Sequence, residues 1–301
     1  MGISMLNVLM VGDVVGDPGL MVLENHLPDL IKEHSIDFTV VNGENAADGF
    51  GLLAPHLERI FAAGADVVTS GNHIWEKREI WPLLNSEKRL LRPMNYPDNA
   101  DMEWNDEKTG TVFGTPGRGW VKLEKSPLNG EPPISWLVVN LQGRELLSSI
   151  DCPFRAFDCL ESEIKNPPPD GLPLLNPVIL VDFHAESTRE KEALAYYLDG
   201  RVSVIAGTHT HVQTADERIL PKGSAYITDL GMTGFLGGVI GMDANICINR
   251  ARSQVLYRME VATPEATDGS SAGSNTAVQG IIVEIEKETR KALSIKRLSS
   301  F

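Results

Sequence analysis

The sequence predicts an α/β protein in which two sheets pack face to face with helices outside them. Seven short apolar runs end in polar, Gly-rich turns, helical patterns separate several of these runs, and the last part of the chain is rich in strands. With 301 residues and 42% hydrophobic content, the chain is long enough for such a core. The seven runs are "NVLMVGD", "DFTVVNGEN", "ADVVTSGNH", "SWLVVNLQG", "PVILVDFHAE", "VSVIAGTHTH" and "AYITDLG".

Two helical patterns lie between the first strands. Their apolar residues recur at helical spacing: Leu20, Leu23, Leu27 and Ile31 in the first, and Leu53, Leu57 and Ile60 in the second. We expect Pro28 to kink or divide the first helix. Strands that alternate with helices place functional groups at the carboxyl ends of the strands.

The later part of the chain predicts strands with little helix between them. These segments are "TVFGTPG", "ISWLVVNLQG", "SQVLYRMEVAT", "VQGIIVEIEKE" and "KALSIKRL", of which the last two fit an antiparallel pair. Loops are predicted from Asn166 to Pro177 and from Thr263 to Ala277. The second loop contains "GSSAG", a match to the nucleophile elbow by chance, since neither a strand nor a helix flanks it. We treat residues 1–301 as a single domain.

Composition excludes several functions. A net charge of −14 argues against broad nucleic-acid binding and against binding to an anionic membrane, although metal ions could supply local positive charge for a small phosphorylated substrate. Three cysteines without C-x-x-C spacing predict neither a disulfide framework nor a thiolate zinc site. The N-terminal segment has no signal-peptide pattern, so we expect a soluble, cytoplasmic protein.

The first Gly-rich turn, "GDVVGDPG", does not have the spacing of a phosphate-binding loop. Asp13 and Asp17 would repel a phosphate unless a cation intervened. Two readings stay open for this turn: Asp13 is a metal ligand at a strand end, or one of the two aspartates caps the next helix.

Polar groups recur where the predicted strands end. They are Asp13 after the first strand, Glu44 and Asn45 after the second, Asn72 and His73 after the third, and then His184, His209 and His211. Imidazole, carboxylate and amide groups are suitable metal ligands, and the H-x-H spacing predicts two rings on one side of an extended segment. One strand-end histidine is usually structural, but four in corresponding positions indicate a metal site.

These motifs resemble the calcineurin-like metallophosphoesterase superfamily, and specifically its YmdB-type branch of bacterial phosphodiesterases. The resemblance runs from about residue 6 to about residue 248 and includes "NGENAADGFG", "TSGNHIW", "VVNLQGR", "VDFHAE" and "TDLGMTG". It implies a four-layer α/β/β/α sandwich with two mixed sheets, flanking helices and two metal ions. One ion would be bound by Asp13, Glu44, Asn45 and His211, and the other by Glu44, Asn72, His184 and His209.

The resemblance also has departures. The superfamily has D-x-H in its first motif, whereas Val15 stands here where the histidine would be, and Asn45 matches the asparagine that replaces it in the YmdB-type branch. The segment that follows "NLQGR" and the loop "TGFLGG" fit the branch less clearly.

The implied activity is hydrolysis of 2′,3′-cyclic nucleotides such as 2′,3′-cyclic AMP. Two divalent ions would share a hydroxide, and His73 would be the general acid that protonates the leaving ribose oxygen. The ligand set suits Fe, Mn or Zn and does not distinguish among these metals. A homo-oligomer is also suggested by the resemblance. Two alternatives stay open: a phosphomonoesterase with the same centre, and a metal-bound regulatory or scaffold protein, against which the intact pair of Asn72 and His73 argues.

Overall fold

The computed structural model describes residues 4–98, 103–106, 110–127, 130–166, 176–263 and 275–300. It has a mixed α/β fold with several sheets and flanking helices, as predicted. The helices are α1 (Gly16–Glu33), α2 (Ala54–Ala63), α3 (Trp81–Ser86), α4 (Pro153–Lys165), α5 (Thr188–Leu198) and α6 (Ala244–Ser253), with 3₁₀ turns at Asn72–Trp75 and Arg78–Ile80. The strands are β1 (Met5–Val11), β2 (Asp13–Val14), β3 (Phe38–Asn42), β4 (Val67–Thr69), β5 (Glu103–Asp106), β6 (Gly110–Phe113), β7 (Trp120–Lys125), β8 (Ile134–Gln142), β9 (Val178–His184), β10 (Val204–Thr208), β11 (Arg218–Ile219), β12 (Ala225–Ile227), β13 (Met232–Phe235), β14 (Thr276–Glu286) and β15 (Ala292–Ser300).

Two mixed sheets dominate the fold. The larger has seven strands in the order β2-β13-β14-β1-β3-β4, with β15 paired to β14, and the smaller has six in the order β11-β12-β10-β9-β8-β7. Strands β14 and β15 form the predicted antiparallel pair. Strands β5 and β6 form a separate hairpin.

Three hydrophobic clusters hold the sheets and helices together. The central cluster combines side chains of both sheets, and within it the Phe38 ring of β3 stacks on Trp136 of β8 with centroids 4.5 Å apart. A second cluster joins the larger sheet to α1 and α2, and a third joins the smaller sheet to α4 and α5. Each sheet is therefore apolar on both faces, because the other sheet covers one face and helices cover the other.

The parallel strands bring their carboxyl ends to a common level. In the larger sheet β3 runs parallel to β1 and β4, and Asn42 lies opposite Thr69. In the smaller sheet β9 runs parallel to β8 and β10, so that His184 lies opposite both Gln142 and Thr208. This register places the polar strand ends of each sheet side by side.

Helix α1 is continuous through Pro28, so the predicted division of this helix is wrong. Pro28 lies on the exposed face of the helix, where water can satisfy the carbonyl that loses its donor. The helix starts with Val15 as its N-cap, and Asp17 lies in the first turn, where its carboxylate is 2.9 Å from the Arg59 guanidinium. Neither Asp13 nor Asp17 is the capping residue.

The predicted strand "SQVLYRMEVAT" is also wrong. Its first residue, Ser253, ends helix α6, a helix that the sequence did not predict. Residues 254–260 are in neither a helix nor a strand and are mostly exposed, and Val261 makes one isolated bridge to Met242. Alternating apolar residues form a strand only where a partner strand is available.

Most of the two predicted loops, including "GSSAG", lies outside the described residues. Cys152, Cys159 and Cys247 are free thiols. In the described part of the chain, none of the helices combines the length and the apolar character that a membrane crossing requires.

Candidate metal centre

The eight predicted site residues lie at strand ends of both sheets. Asp13 begins β2, Glu44 and Asn45 follow β3, and Asn72 and His73 open the 3₁₀ turn after β4. In the smaller sheet, His184 is the last residue of β9, and His209 and His211 follow β10. The fold therefore brings together residues from five separate parts of the chain.

One group of side chains surrounds a single ring nitrogen. Nε2 of His184 lies 3.0 Å from Glu44 Oε1, 2.9 Å from His209 Nδ1 and 3.1 Å from Asn72 Oδ1. Ligand atoms of Glu44, His184 and His209 all lie within 4.8 Å of one another, a spacing that could hold a metal ion. A ring nitrogen carries at most one hydrogen, so one hydrogen bond cannot satisfy all these neighbours.

A second group adjoins the first. Nδ2 of Asn45 lies 3.3 Å from Asp13 Oδ1, 3.1 Å from His211 Nε2 and 3.3 Å from Glu44 Oε1. Oδ1 of Asn45 is buried and has no hydrogen-bond partner among the described residues. The oxygen and nitrogen of an amide are distinguished by such contacts, and a rotation of the Asn45 amide by 180° would turn Oδ1 toward Asp13, Glu44 and His211, where a bound cation would satisfy it.

The two groups of side chains, which together we call the cluster, contain buried charges. Asp13, Glu44 and His184 have no exposed surface. Burial raises the pKa of Asp13, because the attraction of His211 and His184 does not fully compensate for its lost hydration. A buried carboxylate that is short of positive charge fits a cation site.

The two neighbouring histidines have opposite pKa shifts. Burial opposes the charged form of His184, but the attraction and hydrogen bond of Glu44 outweigh it and raise the pKa of His184 to about 9. Burial, together with repulsion from His184, lowers the pKa of His209 to about 3. For Glu44, burial is likewise outweighed, and His184 holds its pKa at about 2. A metal ion would compete with the proton on Nε2 of His184.

Each of the three cluster histidines uses its other ring nitrogen to contact an acceptor outside the cluster. Nδ1 of His184 lies 3.0 Å from Thr208 Oγ1, Nε2 of His209 lies 3.1 Å from Glu186 Oε2, and Nδ1 of His211 lies 2.8 Å from the carbonyl of Ile240. When the outer nitrogen carries the hydrogen, the inner nitrogen is free to bind a metal, and this is the usual arrangement around histidine ligands.

The acceptor for His184 is itself oriented by a buried carboxylate. Thr208 Oγ1 donates to Asp182 Oδ1 at 2.7 Å, and the other oxygen of Asp182 accepts hydrogen bonds from Thr69 and Asn42. Since the only hydroxyl hydrogen of Thr208 points to Asp182, its oxygen accepts the Nδ1 hydrogen of His184. The side chains of Asp182 and Thr208 are fully enclosed.

Replacing Thr208 with valine should weaken metal binding by about 10- to 100-fold, the usual effect of losing an outer partner of a histidine ligand. Valine keeps the shape of threonine but removes the acceptor for Nδ1 of His184. Titration of the metal-free protein with Zn²⁺ or Mn²⁺ measures the affinity. Thr69→Val is the matched control, because Thr69 donates to the same carboxylate without contacting His184. Equal affinities for T208V and the wild type would contradict the assigned orientation.

The segment with His209 and His211 is not extended, contrary to prediction. The two residues have φ angles of 101° and 63°, in the left-handed region that non-glycine residues seldom adopt. Buried carboxylates hold this turn: Asp13 accepts the backbone N–H of His209 at 3.2 Å, and Asp229 accepts that of Thr210 at 3.1 Å. The surrounding structure thus imposes the strained backbone.

Asp229 also forms a fully buried ion pair with Lys191 of α5, at 2.7 Å. We expect Lys191→Met to lower the free energy of unfolding by about 3–5 kcal/mol, because the Asp229 carboxylate would be left buried without its cation. Urea unfolding measures this loss. The double variant Lys191→Met/Asp229→Asn should recover part of it, since no buried charge remains, and no recovery would contradict this explanation.

His73 lies beside the cluster. Its backbone N–H donates to Glu44 Oε2 at 3.0 Å, and its ring packs edge-to-face on Phe50 with centroids 5.0 Å apart. Nδ1 of His73 lies 3.6 Å from a carboxylate oxygen of Glu76. The side chain is 25% exposed. The ring is therefore held in place but open to a ligand.

Glycine is required at Gly71 by the ring of His184. A β-carbon at this position would lie 2.2 Å from Cδ2 of His184, so any residue other than glycine would clash with the ring. Val15, where the wider superfamily has histidine, is buried against Met232 and Met242. It therefore belongs to an apolar cluster.

The cluster opens into a cavity of about 260 Å³. Its lining residues are Glu44, Asn45, Gly49, Phe50, His73, Glu186, His209, Thr210, His211, Ile240 and Met242. Six residues in or beside this site were not predicted from the sequence: Glu186, Asp182, Thr208, Asp229, Lys191 and Ile240. Glu186 and Asp182 flank His184 at two residues on either side, and this proximity was the only available signal for them.

The fold and the buried cluster of carboxylates, imidazoles and amides at the strand ends define a metallophosphoesterase-like protein. The chain belongs to the YmdB-like protein family, whose model matches residues 9–298. A Bacillus subtilis strain 168 protein, the 2′,3′-cyclic-nucleotide 2′-phosphodiesterase, is 40% identical over 295 residues, which cover 97% of this chain and 96% of that protein.

Solved structures are similar along almost the whole chain. A hypothetical protein of Thermus thermophilus is 35% identical with a TM-score of 0.76, and the match covers 98% of both chains. A novel phosphatase from Mycoplasma pneumoniae is 30% identical with a TM-score of 0.79, covering 99% of this chain and 94% of that one.

Proposed function

We propose that this protein is a metal-dependent phosphodiesterase that hydrolyses 2′,3′-cyclic nucleotides. The observation that carries the proposal is the orientation of the three cluster histidines, each with one nitrogen on an outside acceptor and the other facing the cluster. The name of the Bacillus subtilis relative supports cyclic nucleotides as the substrate class.

Two metal ions are proposed, with Glu44 shared between them. Asp13, Glu44, Asn45 and His211 would hold one, and Glu44, Asn72, His184 and His209 would hold the other. When bound, a pair of divalent ions supplies an activated water and positive charge for the phosphoryl oxygens. Asp13 and Glu44 offset only part of that charge, so an anionic diester can bind in a protein of net charge −14.

His73 is proposed as the general acid. Its ring lines the same cavity as Glu44 and His209, and the backbone bond to Glu44 fixes its position relative to the cluster. The leaving ribose oxygen needs a proton as its bond to phosphorus breaks, and an imidazolium at this position can donate it.

The layer order α/β/β/α and a single domain over residues 1–301 are part of the same proposal. The support for both is the central hydrophobic cluster, which joins the two sheets, and the two outer hydrophobic clusters, which join each sheet to its helices. Strands from opposite ends of the chain, β1 and β14, pair in one sheet.

The test is hydrolysis measured beside metal content. Protein loaded separately with Fe, Mn or Zn is given 2′,3′-cyclic AMP, a linear diester and a phosphomonoester. We expect metal-dependent opening of the cyclic diester, to be lost with a chelator and restored by metal. Preference for the monoester would indicate a phosphomonoesterase, and metal binding without turnover of any of these substrates would indicate a regulatory or scaffold protein.

A further inference from the structure

The lining of the cavity beside the cluster combines two kinds of side chain. The polar ones, which we call the polar side, are Glu44, Asn45, His73, Glu186, His209, Thr210 and His211. The apolar ones are Phe50, Ile240 and Met242, which we call the apolar wall. A ligand that fits both has an anionic group and an apolar face.

Ile240 is an unusual residue for its position. Its φ angle is 49°, in the left-handed region, where a β-branched side chain is a true outlier. Its side chain packs poorly as well, since the residue is 50% exposed. The carbonyl of Ile240 orients His211, but any residue could supply that carbonyl. Glycine or asparagine would serve the turn at lower cost, so burial and backbone geometry do not explain the isoleucine.

The rest of the apolar wall is well supported from behind. Met242 is 4% exposed and packs in a cluster with Val15 and Met232, against which Phe50 also lies. Phe50 contacts the ring of His73. The wall is therefore firm and adjoins the proposed general acid, whereas Ile240 extends it at the rim.

We propose that the apolar wall binds the nucleobase of the cyclic nucleotide. This inference rests on the proposed function, which places the phosphate at the polar side. A base presents a flat apolar face, for which aromatic, branched and thioether side chains are suitable partners. Among the residues that line the cavity of about 260 Å³, Phe50, Ile240 and Met242 are the ones that suit such a face, while the phosphate faces the cluster.

The test compares two apolar positions that are neighbours in the chain. Ile240 lines the cavity, whereas Val239 is exposed to a similar extent, 42%, and is not among the residues that line it. Ile240→Asn and Val239→Asn are assayed with 2′,3′-cyclic AMP and with a ribose 2,3-cyclic phosphate that carries a methyl group in place of the base. Metal content and Tm are measured for each.

We expect Ile240→Asn to raise KM for 2′,3′-cyclic AMP by about tenfold, the usual scale for lost apolar contact in a binding pocket. KM for the base-free diester should change much less than KM for 2′,3′-cyclic AMP, and the metal content should match that of the wild type, because the carbonyl that accepts from His211 belongs to the backbone. Tm should stay equal or rise, because asparagine tolerates the left-handed region. Val239→Asn should change neither KM. Equal effects of Ile240→Asn on both substrates, or no effect on either, would overturn the proposal.

Calorimetry separates this proposal from the proposed function. Adenosine 3′-monophosphate and ribose 3-phosphate are titrated into the metal-loaded wild type and both variants, which requires no turnover. If the wild type hydrolyses no diester, the proposed function fails. The proposal that the apolar wall binds the base then still holds if adenosine 3′-monophosphate binds the wild type more tightly than ribose 3-phosphate does, while I240N binds both equally. It is wrong if the two ligands bind the wild type equally.

Discussion

Replacing His73 with alanine should lower kcat for 2′,3′-cyclic AMP by about 10²- to 10⁴-fold, the range over which general acids contribute. The variant should keep its metals, because the bond from residue 73 to Glu44 is made by the backbone N–H and survives the substitution. The measurement is steady-state kinetics beside metal analysis.

A substrate with a better leaving group sharpens this test. A diester that releases p-nitrophenolate needs little protonation, so His73→Ala should lower its turnover much less than that of the cyclic nucleotide. His26→Ala is the matched control, because His26 lies on α1 and is not among the residues that line the cavity. Full activity of H73A with the cyclic nucleotide would contradict the assignment.

Replacing Glu44 with glutamine should remove metal from the protein and reduce activity to the level of the chelated wild type. Glu44 is the residue that contacts both groups of side chains, His184 on one side and Asn45 on the other. The substitution removes its negative charge from a fully buried site, where a cation depends on that charge. Elemental analysis of the purified variant, before and after incubation with Mn²⁺ or Zn²⁺, measures the loss.

Single-site variants then test the division into two groups. Asn72→Ala and His209→Ala should lose the metal ion bound by the group of side chains around His184. They should retain the ion bound by the group around Asp13 and Asn45, so that the metal content falls by about half. Glu24→Gln is the control for the loss of a carboxylate, since Glu24 pairs with Arg59 on the surface of α1 and α2. Wild-type metal content in E44Q would exclude the shared role of Glu44.

The composition and the strand ends contain most of what could be predicted about the site. Apolar runs followed by polar turns predicted β1, β3, β4, β9 and β10, and parallel strands necessarily bring such turns to one edge. Asp13, Glu44, Asn72, His184, His209 and their neighbours could therefore be grouped without coordinates. Predictions from local sequence failed at two places where the tertiary surroundings decide the conformation. Pro28 lies on a helix face where water can replace the missing donor. Residues 254–260 have the alternation of a strand but pair with no strand in the part of the chain that the structure describes.

The class of fold and the residues of the cluster could be predicted from the sequence, because they depend on residue types and on periodicity along the chain, and the family followed from the resemblance of the motifs. The contacts that hold the cluster became known from the folded chain. Thr208 and Asp182 orient His184, and Lys191 and Asp229 hold the turn around Thr210. The partners come from different elements, and no spacing rule relates a lysine on α5 to an aspartate 38 residues later. Likewise, the strained backbone of Ile240 is a property of φ, which the residue type alone would predict to be negative.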